Sequence, residues 1–584
     1  MTVKPQQDPV PPPAPKKNGR KGSTKARTGC FTCKARRIKC DETKPSCLRC
    51  VKTGRTCDGY PAPKVPRHSK QTQLSALTAA PTPPTTPSSF SNWNSSEQRA
   101  FSFYRHSSGT SLFCAADSPV WNRIIPSLSH QEPAIRHAVV VISHLHETRY
   151  RRGSIPARGA PFLDPFAAAH YGRALSALRQ WQPPPAAGTV SNAVPLVACL
   201  LLVCIEFMVC NHTAARIHID QGRQLLSASY EMTAGPVRTP TAAFLRNHLA
   251  PIFCKLSLSA LVLGATPKPL PMNLRITFEG DEVRMPTTFE TAADAATAMF
   301  EVADQSFVTG RKARLWVRQP RGKDEDQVKL AAERAALVRE KKKLQGLFEE
   351  WYTAVGRSAG LAEDRAVRVA KCYYHAARIF TGSSLSPAEG AFDDHLADFS
   401  AVIELCTTLI EEADGDSRFV FDMEVMAPLY TTTIKCRHAE IRRESLGLLR
   451  ILARRGYTEN SWDAQQMANI AARIVALEEE TEGEEEERKP DWRGVAVPEA
   501  ARVRNAVIGP VDGKGAWVTF YRQAAAGAGA GKRNPGDAEA WTATREYILA
   551  SAEEDKPVVP LERRVEVGDG AYLPMRIYIT EGGD

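Results

Sequence analysis

From about Phe101 onward, apolar residues recur every three or four positions between clusters of turn residues, a pattern that predicts amphipathic helices. It is clearest in "PAIRHAVVVISHLHETRY", "DPFAAAHYGRALSALRQW" and "VPLVACLLLVCIEFMV". It returns in "DQVKLAAERAALVREKKKLQGLFEEWYTAV", "AEDRAVRVAKCYYHAARIF", "DHLADFSAVIELCTTLIEEA" and "AEIRRESLGLLRILARR". The most apolar run, Leu196–Cys210, is shorter than a bilayer crossing requires and carries Glu206, so it predicts a buried helix. Few segments alternate with period two before the last ninety or so residues, where "GAWVTFY", "RRVEVG" and "LPMRIYIT" predict a small amount of strand. The expected fold class is mainly α, a large helical body with minor β near its C-terminus.

Before Phe101 the pattern is absent and composition takes over. Residues 1–28 read as a disordered basic arm, residues 29–58 as a cysteine-rich module, and residues 59–99 as a linker rich in Pro, Ser and Thr. The helical body is placed at 100–584. No heptad run follows the cysteine block, so no dimerising coiled coil is expected there and a homodimer is left open. "MTVKPQQDPVPPPAPKK" lacks an apolar stretch, so no secretory signal is expected and the compartment is taken as reducing.

Charge separates the same regions. The chain of 584 residues carries a formal +11, but residues 1–70 hold 18 Lys and Arg against four acids, leaving the rest slightly negative. A polyanion is therefore the expected partner of the N-terminal region. The arm from Lys16 to Arg27 can serve nuclear import, phosphate contact or both.

Six of the fourteen cysteines lie in that region as two copies of C-x2-C-x6-C: Cys30, Cys33 and Cys40, then Cys47, Cys50 and Cys57. A two-residue gap lets two thiolates grip one metal from a single turn, and six residues suit a short helix that returns a third ligand. Two tetrahedral zinc ions need eight thiolates, and six are present. The deficit disappears if two cysteines bridge, and symmetry assigns the bridges to Cys30 and Cys47. Six thiolates with two Zn2+ carry a net −2, which nearby Lys and Arg offset. The first gap, "KARRIK", places Lys34, Arg36, Arg37 and Lys39 on the expected short helix, which fits the DNA major groove. Lys52 and Arg55 in the second gap are expected to contact phosphates.

The stretch "CFTCKARRIKCDETKPSCLRCVKTGRTC" resembles the fungal Zn2Cys6 binuclear-cluster transcription factors throughout its spacing. The resemblance implies two zinc ions bridged as above, a loop proline that matches Pro45, and recognition of CGG-type triplets. It also implies base contact by the adjacent cations Arg36 and Arg37. Segments of the body, among them "LLVCIEFMVCN", "IHIDQGRQLL" and "CRHAEIRRESLGLLR", are similar to the fungal-specific regulatory domain found beside such clusters. The expected protein is a nuclear transcription regulator of RNA polymerase II genes, a pathway-specific one for a metabolic gene set being one form. Double-stranded DNA and transcription machinery or co-regulators are its expected partners, with no membrane. The rival is a chromatin-docked enzyme or scaffold tethered by the zinc module.

Plainer readings cover the rest. The other eight cysteines lack ligand spacing and mostly fall on apolar helices, where core filling is expected. His137, His144 and His146 share one helix, but no neighbouring carboxylate pattern makes them a metal site. "AGAGAGKRNPG" misses the phosphate-loop pattern at Ala526 and Arg533, and no catalytic constellation appears, so no enzyme is expected. The acidic run "LEEETEGEEEERK" reads as the solvated end of a helix.

Overall fold

The structure, a computed structural model, describes residues 30–44, 46–58, 93–113, 119–151, 163–182, 193–232, 243–262, 278–279, 282–283, 285–319, 326–413, 419–479, 497–511, 515–523, 541–549 and 565–566. The basic arm, Pro45, most of the expected linker and "LPMRIYIT" lie outside these residues. The chain divides into two compact units, Met1–Ala79 and Ala80–Asp584.

In the first unit, α1 (Phe31–Ala35) and α2 (Leu48–Lys52) are single turns. Their core is Cys30, Cys33, Cys47 and Cys50, with Cys40 and Cys57 packed against it. Phe31, Leu48 and Val51 are instead exposed, so the described residues of this unit have no hydrocarbon core to fold around.

The second unit begins inside the expected linker. Asn94 and Glu97 form a capping box that starts α3 (Ser95–Phe103), and Trp93 and Phe101 are buried with it. Next come α4 (Ile125–Gln131), α5 (Pro133–Leu145), α6 (Pro165–Gln180), α7 (Val194–Met208), α8 (His212–Met232) and α9 (Ala250–Val262). Asp164 caps α6 by accepting from Ala167 N, with Pro165 in the first turn where its missing N–H costs nothing. The apolar run becomes α7, buried along nearly its whole length and packed against α5 and α8. Its one carboxylate, Glu206, is pushed above the usual range by burial and accepts from Tyr171 Oη. No helix among the described residues is long and apolar enough to cross a membrane.

A second core gathers around α10 (Ala292–Arg318), α11 (Gln327–Arg357), α12 (Arg365–Ser383), α13 (Leu396–Glu412), α14 (Met426–Lys435), α15 (Ala439–Arg454) and α16 (Ala464–Glu479). Thr291, Asp326 and Asp364 cap the first three of these helices. The strands are the hairpin β1 (Phe278–Glu279) and β2 (Glu282–Val283), then β3 (Phe419–Val420) parallel to β4 (Thr458–Glu459), which pairs with β5 (Trp462–Asp463). An antiparallel sheet follows in the order β6 (Val503–Val511), β7 (Gly515–Gln523), β8 (Trp541–Leu549) and β9 (Val565–Glu566). Of its strands, β7 and β9 coincide with the alternating segments, while β6 and β8 add to them.

The acidic run differs from its sequence reading where it is described. Glu478, at the end of α16, is buried, accepting from Arg437 Nη2 at 2.9 Å, from Val503 N at 2.7 Å and from Arg442. Like charge along the sequence hid a carboxylate whose partners sit on α15, the turn before it and β6. A cavity of about 530 Å3 in this unit is lined by Phe113, Phe300 and Val369 beside two ion pairs, Lys255–Asp422 at 2.8 Å and Arg365–Glu424 at 2.7 Å.

Candidate metal centre and nucleic-acid interface

The two halves of the first unit repeat each other at an offset of seventeen residues. Each opens with a cysteine in extended backbone whose sulfur accepts from the N–H three residues on, Cys33 N to Cys30 Sγ and Cys50 N to Cys47 Sγ, both at 3.3 Å. Thiolates thus cap the helices they introduce, where the helix dipole favours negative charge. The third sulfur of each half returns to its start. Cys40 Sγ accepts from Cys30 N at 3.5 Å, and Cys57 Sγ from Cys47 N at 3.4 Å.

Across the halves, the sulfurs of Cys30 and Cys47 are 3.6 Å apart, those of Cys33 and Cys47 3.7 Å, and Cys50 lies 3.9 Å from both Cys30 and Cys33. These spacings are far too long for disulfides, and all six cysteines are free. They match the roughly 3.8 Å edge of a tetrahedron built on zinc–sulfur bonds of about 2.3 Å. Two quartets bring their sulfurs within 4.8 Å of one another: Cys30, Cys33, Cys40 and Cys47, and Cys30, Cys47, Cys50 and Cys57. Cys30 and Cys47 belong to both. As thiols, the buried pair resists ionisation: burial pushes Cys30 up to about 12 and raises Cys47 further. Metal binding therefore drives their deprotonation.

The cations are arranged differently from the expected helix. All of Lys34, Arg36, Arg37, Lys39, Lys52 and Arg55 are exposed, but α1 ends at Ala35. Lys34 alone of the first four lies within it, 5.8 Å from the Phe31 ring, and Arg36 is its C-cap. Arg37 then takes a left-handed backbone, φ 55°, while its N–H bonds Lys34 O and Ile38 N bonds Cys33 O. Together these make a Schellman stop. The second half stops identically: Gly54 has φ 64°, with Gly54 N on Val51 O and Arg55 N on Cys50 O. The early stop lets the chain bring Cys40 and Cys57 back to the cluster. Arg36 reaches Thr53 Oγ1 at 3.4 Å, while Lys39 lies past the turn.

Two acids were not singled out by the pattern of cations and cysteines. Asp41 accepts from Thr43 N and Oγ1 and from Leu48 N and Arg49 N at 3.1 and 2.8 Å, capping α2 across the loop. The Thr43 hydroxyl and these amides hold its carboxyl well below the usual range. Asp58 Oδ2 accepts from Thr32 Oγ1 at 2.7 Å, while Asp58 N donates back to that hydroxyl, tying the end of the module to α1. Their signal in the sequence is that acids are scarce there.

Elsewhere, Cys199, Cys204, Cys254, Cys372, Cys406 and Cys436 are buried among apolar neighbours, Cys210 is exposed, and Cys114 and the glycine-rich 524–535 stretch lie outside the described residues.

Residues 28–66 match the model of the fungal Zn(2)-Cys(6) binuclear cluster domain. The chain is similar to the transcriptional regulatory protein moc3 of Schizosaccharomyces pombe, 59% identical over 49 residues, 8% of this chain and 9% of that protein. It is similar to the aspercryptin biosynthesis cluster-specific transcription regulator atnN of Emericella nidulans, 61% identical over 36 residues, 6% of each chain. A longer likeness reaches past the cysteine module: the transcription regulator lscL of Purpureocillium lilacinum is 26% identical over 208 residues, 34% of this chain and 48% of that one. No solved structure matches. The N-terminal unit thus carries a Zn2Cys6 domain, a DNA-binding module of fungal transcription regulators that binds two zinc ions.

Proposed function

We propose that this chain, with its fungal Zn(2)-Cys(6) binuclear cluster domain, is a nuclear, zinc-dependent, sequence-specific regulator of transcription. The observation that carries the reading is the pair of cysteine quartets sharing Cys30 and Cys47, within a strongly basic N-terminal region. Two metals fold a unit whose described core is sulfur and hold Lys34, Arg36 and Arg37 at the end of α1, where Arg can donate to guanine O6 and N7 in the major groove. Lys39 past the turn that ends α1, Lys52 at the end of α2 and Arg55 just after its stop are all exposed and serve as phosphate contacts. The two like halves suit CGG-type triplets, and the large helical unit serves as the regulatory or recruiting region.

Binding-site selection from random duplexes by the full-length protein tests this reading. A recovered CGG-type triplet, lost when zinc is chelated, is the expected result. Selection of no motif, or of one indifferent to zinc, would count against it. The number and spacing of triplets recovered also report whether one chain or two bind.

A further inference from the structure

The three histidines on and just after α5 go separate ways. His144 pairs with Asp164 at 2.6 Å and His146 with Ser108 at 2.9 Å. His137 instead meets His170 of α6 and Glu97 of α3, residues far apart in sequence. The two Nδ1 atoms are 3.1 Å apart, and Glu97 Oε1 stands 3.7 Å from one and 3.9 Å from the other. The last two distances are too long for hydrogen bonds, so this carboxylate oxygen is not placed to receive an imidazole proton. A triangle with these sides has its centre about 2.1 Å from every corner, the bond length of zinc to imidazole nitrogen or carboxylate oxygen.

The surroundings agree with that geometry. Glu97 and His170 are buried, while His137 keeps 16% of its side chain exposed, enough for an ion to reach the three atoms. The other Glu97 oxygen accepts from Asn94 N at 3.0 Å, which fixes the carboxylate's direction. Burial lowers both imidazoles, His137 to about 4, and Arg173 pushes both the same way against the raising pull of Glu97, so both rings offer neutral nitrogens.

We propose that Glu97, His137 and His170 form a mononuclear site for a divalent first-row metal ion, zinc foremost, separate from the six-cysteine cluster. Two imidazoles and a carboxylate leave a fourth position for water. An ion there ties α3 to α5 and α6 and so fastens the first described helix of the large unit.

Full-length protein, stripped of metal and dialysed to equilibrium against micromolar zinc, is compared with His137→Ala and Glu97→Gln by elemental analysis. Glutamine preserves the capping box, so the second variant alters the site's charge without removing the cap. Wild-type protein is expected to retain one zinc more per chain than either variant, and its unfolding temperature to rise more with zinc than theirs. Equal zinc content in all three overturns the proposal. Cobalt in place of zinc assigns the extra ion: it is expected to lack thiolate charge-transfer absorbance, and an extra ion carrying that absorbance also overturns it.

Discussion

At Arg37 the backbone adopts φ 55°, a left-handed conformation that costs a residue with a Cβ roughly 1–2 kcal/mol, while Gly54 adopts it freely in the matching turn. Arg37 thus carries a strain that glycine avoids in the matching turn, and its exposed side chain is what glycine would lack. Arg37→Gly is expected to make the cluster harder to strip, raising the chelator concentration needed to remove zinc, while weakening DNA binding. Arg37→Ala should reduce discrimination of the selected site by about 1–3 kcal/mol in competition binding, with little change on random duplex. Glu459 makes a different residue-scale prediction. Oε2 accepts from Val425 N and Met426 N, and burial, with the charge of Glu424, raises the group to about 8. A folded pKa above the unfolded one means its contribution is complete in acid, then falls as pH rises from the ordinary glutamate range through about 8. Stability measured across that range should fall less in Glu459→Gln than in wild type. The six cysteines and their cations were legible because ligand spacing and charge are local in sequence. The φ of Arg37 was not, since nothing in "KARRIK" marks a helix stop except comparison with "VKTGRT" seventeen residues later.

Among the elements, helices whose apolar face is continuous were readable, and α5, α6, α7, α11, α12, α13 and α15 lie where periodicity put them. The long α10 was not singled out, because Glu301, Asp304, Ser306 and Thr309 are buried along it and break the apolar repeat. Helix packing yields a prediction at Gly222 of α8, where an added Cβ would overlap the buried Phe253 ring of α9. Gly222→Ala should destabilise the body by about 1–3 kcal/mol in denaturant unfolding. Glu478 joins α16 to α15 and β6. Burial alone would raise its pKa, but Arg437 and Arg442 hold it below the usual range. Glu478→Ala would leave those guanidiniums buried with one acid fewer, and a loss of about 3–5 kcal/mol is expected.

For the whole molecule, the division of labour follows from what each unit is built of. One is cored by sulfur and carries the positive charge; the other is cored by hydrocarbon on a scale that folds without metal at the cysteines. Chelation should therefore abolish DNA binding while far-ultraviolet circular dichroism, dominated by the body, hardly changes. Affinity for DNA should fall steeply with salt, because the contacts expected of the cations release counterions from phosphate. This partition is legible in the distribution of charge along the chain. The meeting of Glu97, His137 and His170 is not, since it exists only once three helices pack.

The sharing of Cys30 and Cys47 between the quartets also shapes how the cluster fills. Each half owns three sulfurs and borrows its fourth, so a lone zinc ion would fix both bridging thiolates while leaving the opposite turn unfolded. Completing that turn then requires only the second ion and two further thiolates. Occupancy should consequently behave like a latch with two positions: native mass spectra taken during a zinc titration should show empty and doubly filled chains side by side, with the singly filled species scarce at every point.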